Sequence, residues 1–313
     1  MALRIVFAGT PDFATPCLDA LIQSHHQVLA VYTKPDQPVG RGRTLQGSPV
    51  KALALAHQLP VYQPSNFKAE SDRAALAALN AEIMVVIAYG LILPVSVLNI
   101  PRFGCINVHA SALPQWRGAS PIQSAIWHGD TLTGISIIQM DKGMDTGDIL
   151  HLSTCPIDAR ETSDSLHLKL AEAAIQPLLD TLSQIEKGSV IRSPQDNTQA
   201  SYTRKIEKKD ARIDWNQSAE AIDWQIRACN PWPIAFTETA GLTIRIHEAI
   251  PDTRCHSGPP GTLLALEETG LRINTGSGSI QVQRLQLPGG KILDARTWVR
   301  TQRKELPIGT HFL

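Results

Sequence analysis

The chain lacks most of the features that would take it out of the ordinary globular class. Its 313 residues include five cysteines (Cys17, Cys105, Cys155, Cys229 and Cys255), an odd number with no C-x-x-C spacing. That argues against a disulfide framework or a zinc knuckle and fits a reducing compartment. Aromatic residues make up 5% and charged residues 19% against 43% hydrophobic, with a formal net charge of zero. Such a composition excludes a disordered or fibrous chain. No apolar run approaches the ~18–20 residues needed to span a membrane. The first residues enter a strand pattern at once instead of forming a signal peptide. A soluble, cytoplasmic protein without membrane contact is expected.

Three signatures are also missing: G-x-G-x-x-G, G-x-x-x-x-G-K-[ST] and H-E-x-x-H. The turn Gly9-Thr10-Pro11-Asp12-Phe13 has one glycine, and Pro11 lacks the N–H that a pyrophosphate would use. It reads as a plain strand-to-helix turn, and nicotinamide binding is poorly supported. His25 and His26 are adjacent in sequence, cannot share a face, and read as surface residues at a helix end. No ligand set for a metal is visible, nor any internal repeat.

What is present is a change of texture partway along the chain. Residues 3–8, 28–32, 83–88 and 105–109 are short runs rich in Val and Ile, as in strands covered on both faces of a parallel sheet. Between them, residues 13–25, 48–57 and 68–79 carry apolar side chains at helical spacing. Residues 120–128 read as a further helix with Pro121 in its first turn. This alternation predicts an α/β domain built on an open, doubly wound parallel sheet. Residues 135–140 and 149–155 follow as strands around a Gly- and Asp-rich loop, and one long helix over 163–185 closes the domain.

Near residues 187–197 the composition shifts to Gly, Ser, Pro, Gln and Asn, as in a linker. Beyond a helix at 218–229, five alternating runs (235–239, 243–248, 262–266, 271–274 and 279–283) are separated by turn signals and predict a small β-barrel. The expected organisation is one domain over 1–188, a linker over 189–207 and a second domain over 208–313. Residues 1–188 hold 13 basic and 16 acidic side chains, and residues 189–313 hold 16 and 13. Three windows are basic: 34–51 (Lys34, Arg41, Arg43 and Lys51), 204–212 and 284–304. A basic window is commonly a solvated face, yet local clusters decide whether a nucleic acid is attracted.

The densest stretch is 104–121, Gly-Cys-Ile-Asn-Val-His-Ala-Ser-Ala-Leu-Pro-Gln-Trp-Arg-Gly-Ala-Ser-Pro. Asn107 and His109 are two apart on a strand and therefore project from one face. They lie where the strand enters a loop, the end at which open α/β sheets bind ligands. Alone, His109 would pass as a core histidine. An amide and an imidazole side by side are the parts for holding an oxyanion and handling a proton. The second cluster, 140–148, carries three aspartates, which a turn with Asx-type bonds would also explain. If Asp145 reached His109, its charge would favour the imidazolium and fix the ring, and such a set needs no metal.

Here a resemblance enters. Asn107-Val108-His109-Ala110-Ser111, then Leu113-Pro114, Trp116-Arg117-Gly118-Ala119 and Pro121, with Asp145-Thr146-Gly147-Asp148, resemble the signature of the folate-dependent formyltransferases. Phe7-Ala8-Gly9-Thr10-Pro11-Asp12-Phe13-Ala14 and Ala88-Tyr89-Gly90, with Ile92-Leu93-Pro94, point to the members that act on a charged initiator tRNA. The basic insert over 34–51, Ala211-Arg212-Ile213-Asp214-Trp215 and Asn230-Pro231-Trp232-Pro233 agree, so the likeness covers essentially the whole chain.

The resemblance implies a Rossmann-like catalytic domain and an oligonucleotide-binding-like (OB-like) barrel. It implies transfer of the formyl group of 10-formyltetrahydrofolate, as co-substrate, to the α-amino group of initiator methionyl-tRNA. Asn107, His109 and Asp145 match the catalytic trio. Ser111, Ala112, Leu113 and Pro114 match the folate-binding stretch, and Tyr89, Gly90, Leu91 and Ile92 a pterin-lining segment. Arg41, Arg43, Lys205 and Lys208 fall at tRNA-facing positions, and the Gly- and Arg-rich tract around Arg41 is expected to order on tRNA. A monomer is expected.

Ala112 stands where leucine is usual, and Gln115, Ser120 and Ser124 where Arg, Ala and Arg are frequent. Two fewer positive charges at the cleft mouth predict weaker phosphate contact there. A formyltransferase acting on a small amine would share the trio but needs neither barrel nor basic insert. An inactive RNA-binding module would have had no reason to keep the trio.

Overall fold

The Val- and Ile-rich runs become strands of a single sheet. β1 (Arg4–Gly9), β2 (Gln27–Tyr32), β3 (Val61–Tyr62), β4 (Ile83–Ile87), β5 (Cys105–His109), β6 (Leu132–Gln139) and β7 (Ile149–Pro156) lie in the order β7-β6-β5-β4-β1-β2-β3. The pairs β1/β2, β1/β4, β2/β3 and β4/β5 are parallel, and β5/β6 is antiparallel. β1 and β4 are buried nearly throughout, which is why each reads as an unbroken apolar run. Strand order reverses between β1 and β4, the switch point at which such sheets open a crevice. This is a computed structural model, and the residues described are 2–39, 44–239, 241–256, 258–301 and 306–313.

The chain divides into two units. The first holds Met1–Gly118, Thr133–Pro156 and His167–Thr203; the second holds Ala119–Leu132, Ile157–Leu166 and Arg204–Leu313. Helices α1 (Thr15–Gln23), α2 (Pro49–Ala56), α3 (Glu70–Ala78) and α4 (Val95–Leu98) connect successive parallel strands. Ser48 starts α2 by accepting from Lys51 N at 3.0 Å. Helix α5 (Pro121–Trp127) belongs to the second unit. The single helix expected over 163–185 is in fact two, α6 (Ser163–Ala173) and α7 (Ile175–Lys187). Pro177 lacks the N–H that an unbroken helix would donate four residues back, so a new helix starts with it in the first turn.

Within the basic insert, Gln37–Val39 and Thr44–Gln46 pair antiparallel. Arg41 and Arg43 lie outside the described residues. His25 and His26 follow α1 but are not both at the surface. His26 is buried, its Nδ1 accepts from Leu3 N at 3.2 Å, and the two rings are 4.0 Å apart with Glu186 beside them. All five cysteines are free, and burial pushes the thiols of Cys17, Cys105 and Cys229 up to about 12. Among the described residues no helix is long and apolar enough to cross a membrane.

In the second unit, α8 (Ala219–Ala228) precedes β8 (Ala235–Thr239), β9 (Leu242–Asp252), β10 (Leu263–Glu267), β11 (Gly270–Asn274), β12 (Ser279–Gln286) and β13 (Ile292–Asp294), and α9 (Ala295–Thr301) follows. Their order is β8-β9-β12-β11-β10, with β13 on β12, and the pairs are antiparallel. The two outer strands are joined through the C-terminal residues. Leu313 N donates to Glu238 O and Leu263 N donates to Thr310 O, both at 2.8 Å. Edges that would otherwise template aggregation are thereby covered.

Phe312, 3% exposed, packs beside Trp215 with ring centroids 5.9 Å apart. Phe312→Ala is expected to cost about 3–5 kcal/mol, read as a lower denaturant midpoint at unchanged slope.

A second stability prediction concerns acid. The Arg204 guanidinium, hydrogen-bonded at 2.7 Å, pushes the Asp210 carboxyl down to about 2. A depressed carboxyl contributes stability above its unfolded value of about 3.9, and that stability is lost as pH falls toward 2. Between pH 5 and 2 the wild-type melting temperature should fall more than that of Asp210→Asn. Parallel curves would contradict it.

Candidate active site

β5 ends between β4 and β6 and presents Asn107 and His109 on one face, as period-2 geometry requires. His109 is 5% exposed and Asn107 half-buried. The chain leaving β6 starts beside the other end of β5, where Met140 N donates to Cys105 O at 2.8 Å. It then doubles back and brings Asp145 alongside both residues. Asn107 Nδ2 donates to Asp145 Oδ1 at 3.2 Å, and His109 Nδ1 lies 3.7 Å from Asp145 Oδ2. The three residues 38 or fewer positions apart in sequence are therefore one cluster.

His109 Nε2 is 3.0 Å from the Trp116 carbonyl, an acceptor only, so this nitrogen carries a hydrogen. The Asp145 carboxylate faces the other ring nitrogen. Its Oδ2 also accepts from Gly118 N at 2.9 Å, so the end of β5 and the loop that follows it both converge on this carboxylate. Ala88, Trp116 and Asp145, one in each loop leaving β4, β5 and β6, are three of the six non-glycine residues with positive φ among the described residues. Such backbone is costly for side-chain-bearing residues and concentrates at functional sites.

The stretch 111–114 is fixed from beneath. Ser136 on β6, fully buried, donates to Ser111 O at 2.7 Å and accepts from Leu113 N at 3.0 Å. Ser111 spends its own hydroxyl on Gln115 O, Leu113 is buried, and Ala112 and Pro114 are partly exposed. In the segment after β4, Tyr89 is 1% exposed within the core and its carbonyl accepts from Thr10 Oγ1 at 2.8 Å, whereas Ile92 is 91% exposed. Gly90 is exposed and Leu91 half-buried.

A buried polar hub that sequence reasoning missed lies behind the cluster. Arg117 is 1% exposed, and its guanidinium donates to Gln195 Oε1 (2.8 and 3.0 Å), Asn197 Oδ1 (2.9 Å) and Tyr202 Oη (3.2 Å). Gln195 Nε2 in turn donates to the carbonyls of Asp145 and Gly147, both at 2.8 Å. A chain of polar contacts thus links a buried cation to the loop that carries Asp145. Gln115, where arginine is frequent in the family the chain resembles, donates to Gln199 O at 2.9 Å and accepts from Ser201 Oγ at 2.7 Å. It ties down the 199–201 stretch in place of contributing charge. Lys205 and Lys208 are exposed on the second unit.

Comparison with known proteins matches these features. The formyl transferase family profile covers residues 3–182, and the profile of its C-terminal domain covers residues 205–303. The chain is 52% identical over 307 residues to a methionyl-tRNA formyltransferase of Legionella pneumophila (strain Paris), covering 98% of both chains. In fold it is similar to an N-formyltransferase of Helicobacter canadensis solved with folinic acid and dTDP-3-aminofucose. That match has TM-score 0.68 at 18% identity, over 90% of this chain and 99% of the other. It is also similar to the methionyl-tRNA formyltransferase of Clostridium thermocellum, with TM-score 0.55 at 16% identity, over 90% and 98%. The doubly wound sheet, the clustered Asn107, His109 and Asp145, and both profile matches lead to one conclusion: the chain belongs to the formyl transferase family, among the methionyl-tRNA formyltransferases.

Proposed function

We propose that the enzyme transfers the formyl group of 10-formyltetrahydrofolate to the α-amino group of initiator methionyl-tRNA, for translation initiation in the cytoplasm. The observation that carries this reading is the meeting of Asn107, His109 and Asp145 in one group at the end of β5. The 52% identity to an enzyme named for methionyl-tRNA supports the acceptor.

Asn107 Nδ2 has two hydrogens. One is given to Asp145, and the second meets the negative charge that develops on the formyl oxygen. His109, held by the Trp116 carbonyl on one nitrogen and facing Asp145 with the other, sets its polar ring beside the same oxygen. The free α-amine has a pKa of about 7.7–8.0, so a large part is protonated at neutral pH. The Asp145 carboxylate takes that proton, directly or through a water, and the proton passes to the folate nitrogen as its bond to the formyl carbon breaks. The folate is held by 111–114, which Ser136 fixes in place, and by 89–92, where exposed Ile92 offers an apolar face to a flat pterin ring. Arg41, Arg43, Lys205 and Lys208 engage the tRNA.

The test is formylation of charged initiator tRNA by purified protein with 10-formyltetrahydrofolate, beside elongator methionyl-tRNA. Product on the initiator is expected. No product on either tRNA, with folate still bound, would move the acceptor to a small amine.

A further inference from the structure

The second unit contains an open cleft of about 640 Å³ whose lining includes Lys208, Trp232, Ile234, Phe236, Thr243 and Arg245. Trp232 is 49% exposed, whereas Trp215 and Trp298 of the same unit lie in its core. Phe236 on β8 stands directly opposite Arg245 on β9, so the two side chains share a face. The acids nearby are spoken for: Glu238 by Arg212 (3.4 Å), Asp210 by Arg204 (2.7 Å) and Glu207 by Lys209 (2.8 Å). Lys208 and Arg245 have no ion-pair partner among the described residues, which leaves the cleft with surplus positive charge. Ile234 adopts φ +69, a left-handed conformation that a β-branched residue rarely tolerates. Its N–H donates to Cys229 O at 2.8 Å, so the turn presenting the indole is pinned to the end of α8. Strain of this kind, kept at the mouth of a cleft, marks a functional surface more often than an idle one.

We propose that this cleft binds one unpaired nucleotide of the tRNA, its base stacked on Trp232 and its phosphates held by Lys208 and Arg245. A simple anion would use the cations and leave the indole idle; an apolar ligand would do the reverse. A nucleotide uses both, because every base has a π-face and every phosphate a charge. The proposal rests on the reading that the acceptor is a tRNA.

The experiment measures the affinity of the full chain for fluorescein-labelled, uncharged initiator tRNA as salt is varied, with wild-type formylation assayed in parallel. Trp232→Ala should raise Kd roughly 5- to 100-fold, and Trp232→Phe should restore most of the loss. Lys208→Gln and Arg245→Gln, both exposed, should each flatten the log–log salt slope by about 0.7–0.9. A wild type that formylates while all four variants bind as it does would overturn the cleft and leave the activity standing. Trp232→Phe as weak as Trp232→Ala, with unchanged salt slopes for the charge variants, would also overturn it. A wild type that binds this RNA through the cleft yet formylates no tRNA would sink the activity instead.

Discussion

Replacing His109 with alanine is expected to lower kcat by 10²- to 10⁴-fold, with folate binding retained. The imidazole is 5% exposed and sits between two acceptors, the Trp116 carbonyl at 3.0 Å and the Asp145 carboxylate at 3.7 Å. The variant removes the ring that spans these two acceptors, while Gly118 N and Asn107 still hold the carboxylate. Asn107→Ala removes one neutral donor and should cost about 10²–10³. The double variant should cost much less than the product of the two, because residues that act as a unit are not additive. His109→Gln is the companion variant: it keeps a donor near Trp116 and much of the side-chain bulk but loses the second ring nitrogen. Single-turnover rates with native melting temperatures decide the matter. Either alanine variant turning over at near wild-type rate would remove Asn107 or His109 from the chemistry.

The fold was legible in the sequence wherever burial was two-sided. β5 and β8 occupy the residues expected of them, because a strand covered on both faces, or alternating cleanly, has little freedom in its bounds. The break between α6 and α7 was missed because apolar spacing continues across Ala174, and the cue was the single Pro177. The meeting of Asn107 with His109 was readable from their two-residue spacing. Their meeting with Asp145 was conditional on spacing alone and came only from the family resemblance, since a loop that doubles back along a strand leaves no periodic trace. The Arg117–Gln195 contact was invisible for a different reason. A buried guanidinium looks in sequence like any surface arginine, and Gln195 sits in a Ser-Pro-Gln-Asp stretch whose composition says only turn. Ser136, fully buried beneath 111–114, reads as one polar residue within an apolar strand. Such a residue is the one useful signal of this kind, because a buried hydroxyl must find partners.

Gly118→Ala should cost about as much activity as loss of a side chain in the trio, although Gly118 has none. Its φ of +118 lies where residues with a Cβ are strained, and an added Cβ would overlap the Thr203 carbonyl. That carbonyl belongs to the short parallel pairing of Arg117–Gly118 with Tyr202–Thr203, so it is backbone on both sides and has no flexible end to swing away. The glycine main chain must therefore shift, at a strain cost of about 1–3 kcal/mol. Its N–H then leaves Asp145 Oδ2, now 2.9 Å away, and the carboxylate loses a backbone donor that fixes it against His109. Misplacement of a reacting group by about 1 Å costs on the order of 10²-fold in rate. The expected result is kcat lower by about 10²-fold, KM for tRNA nearly unchanged, and a melting temperature lower by a few degrees. Ala119→Ser, at the exposed position next door, supplies the control and should leave kcat within about threefold, since surface substitutions away from such features change little. If Gly118→Ala instead raised KM for tRNA with kcat intact, the glycine would serve acceptor binding, and the placement of Asp145 would not depend on it.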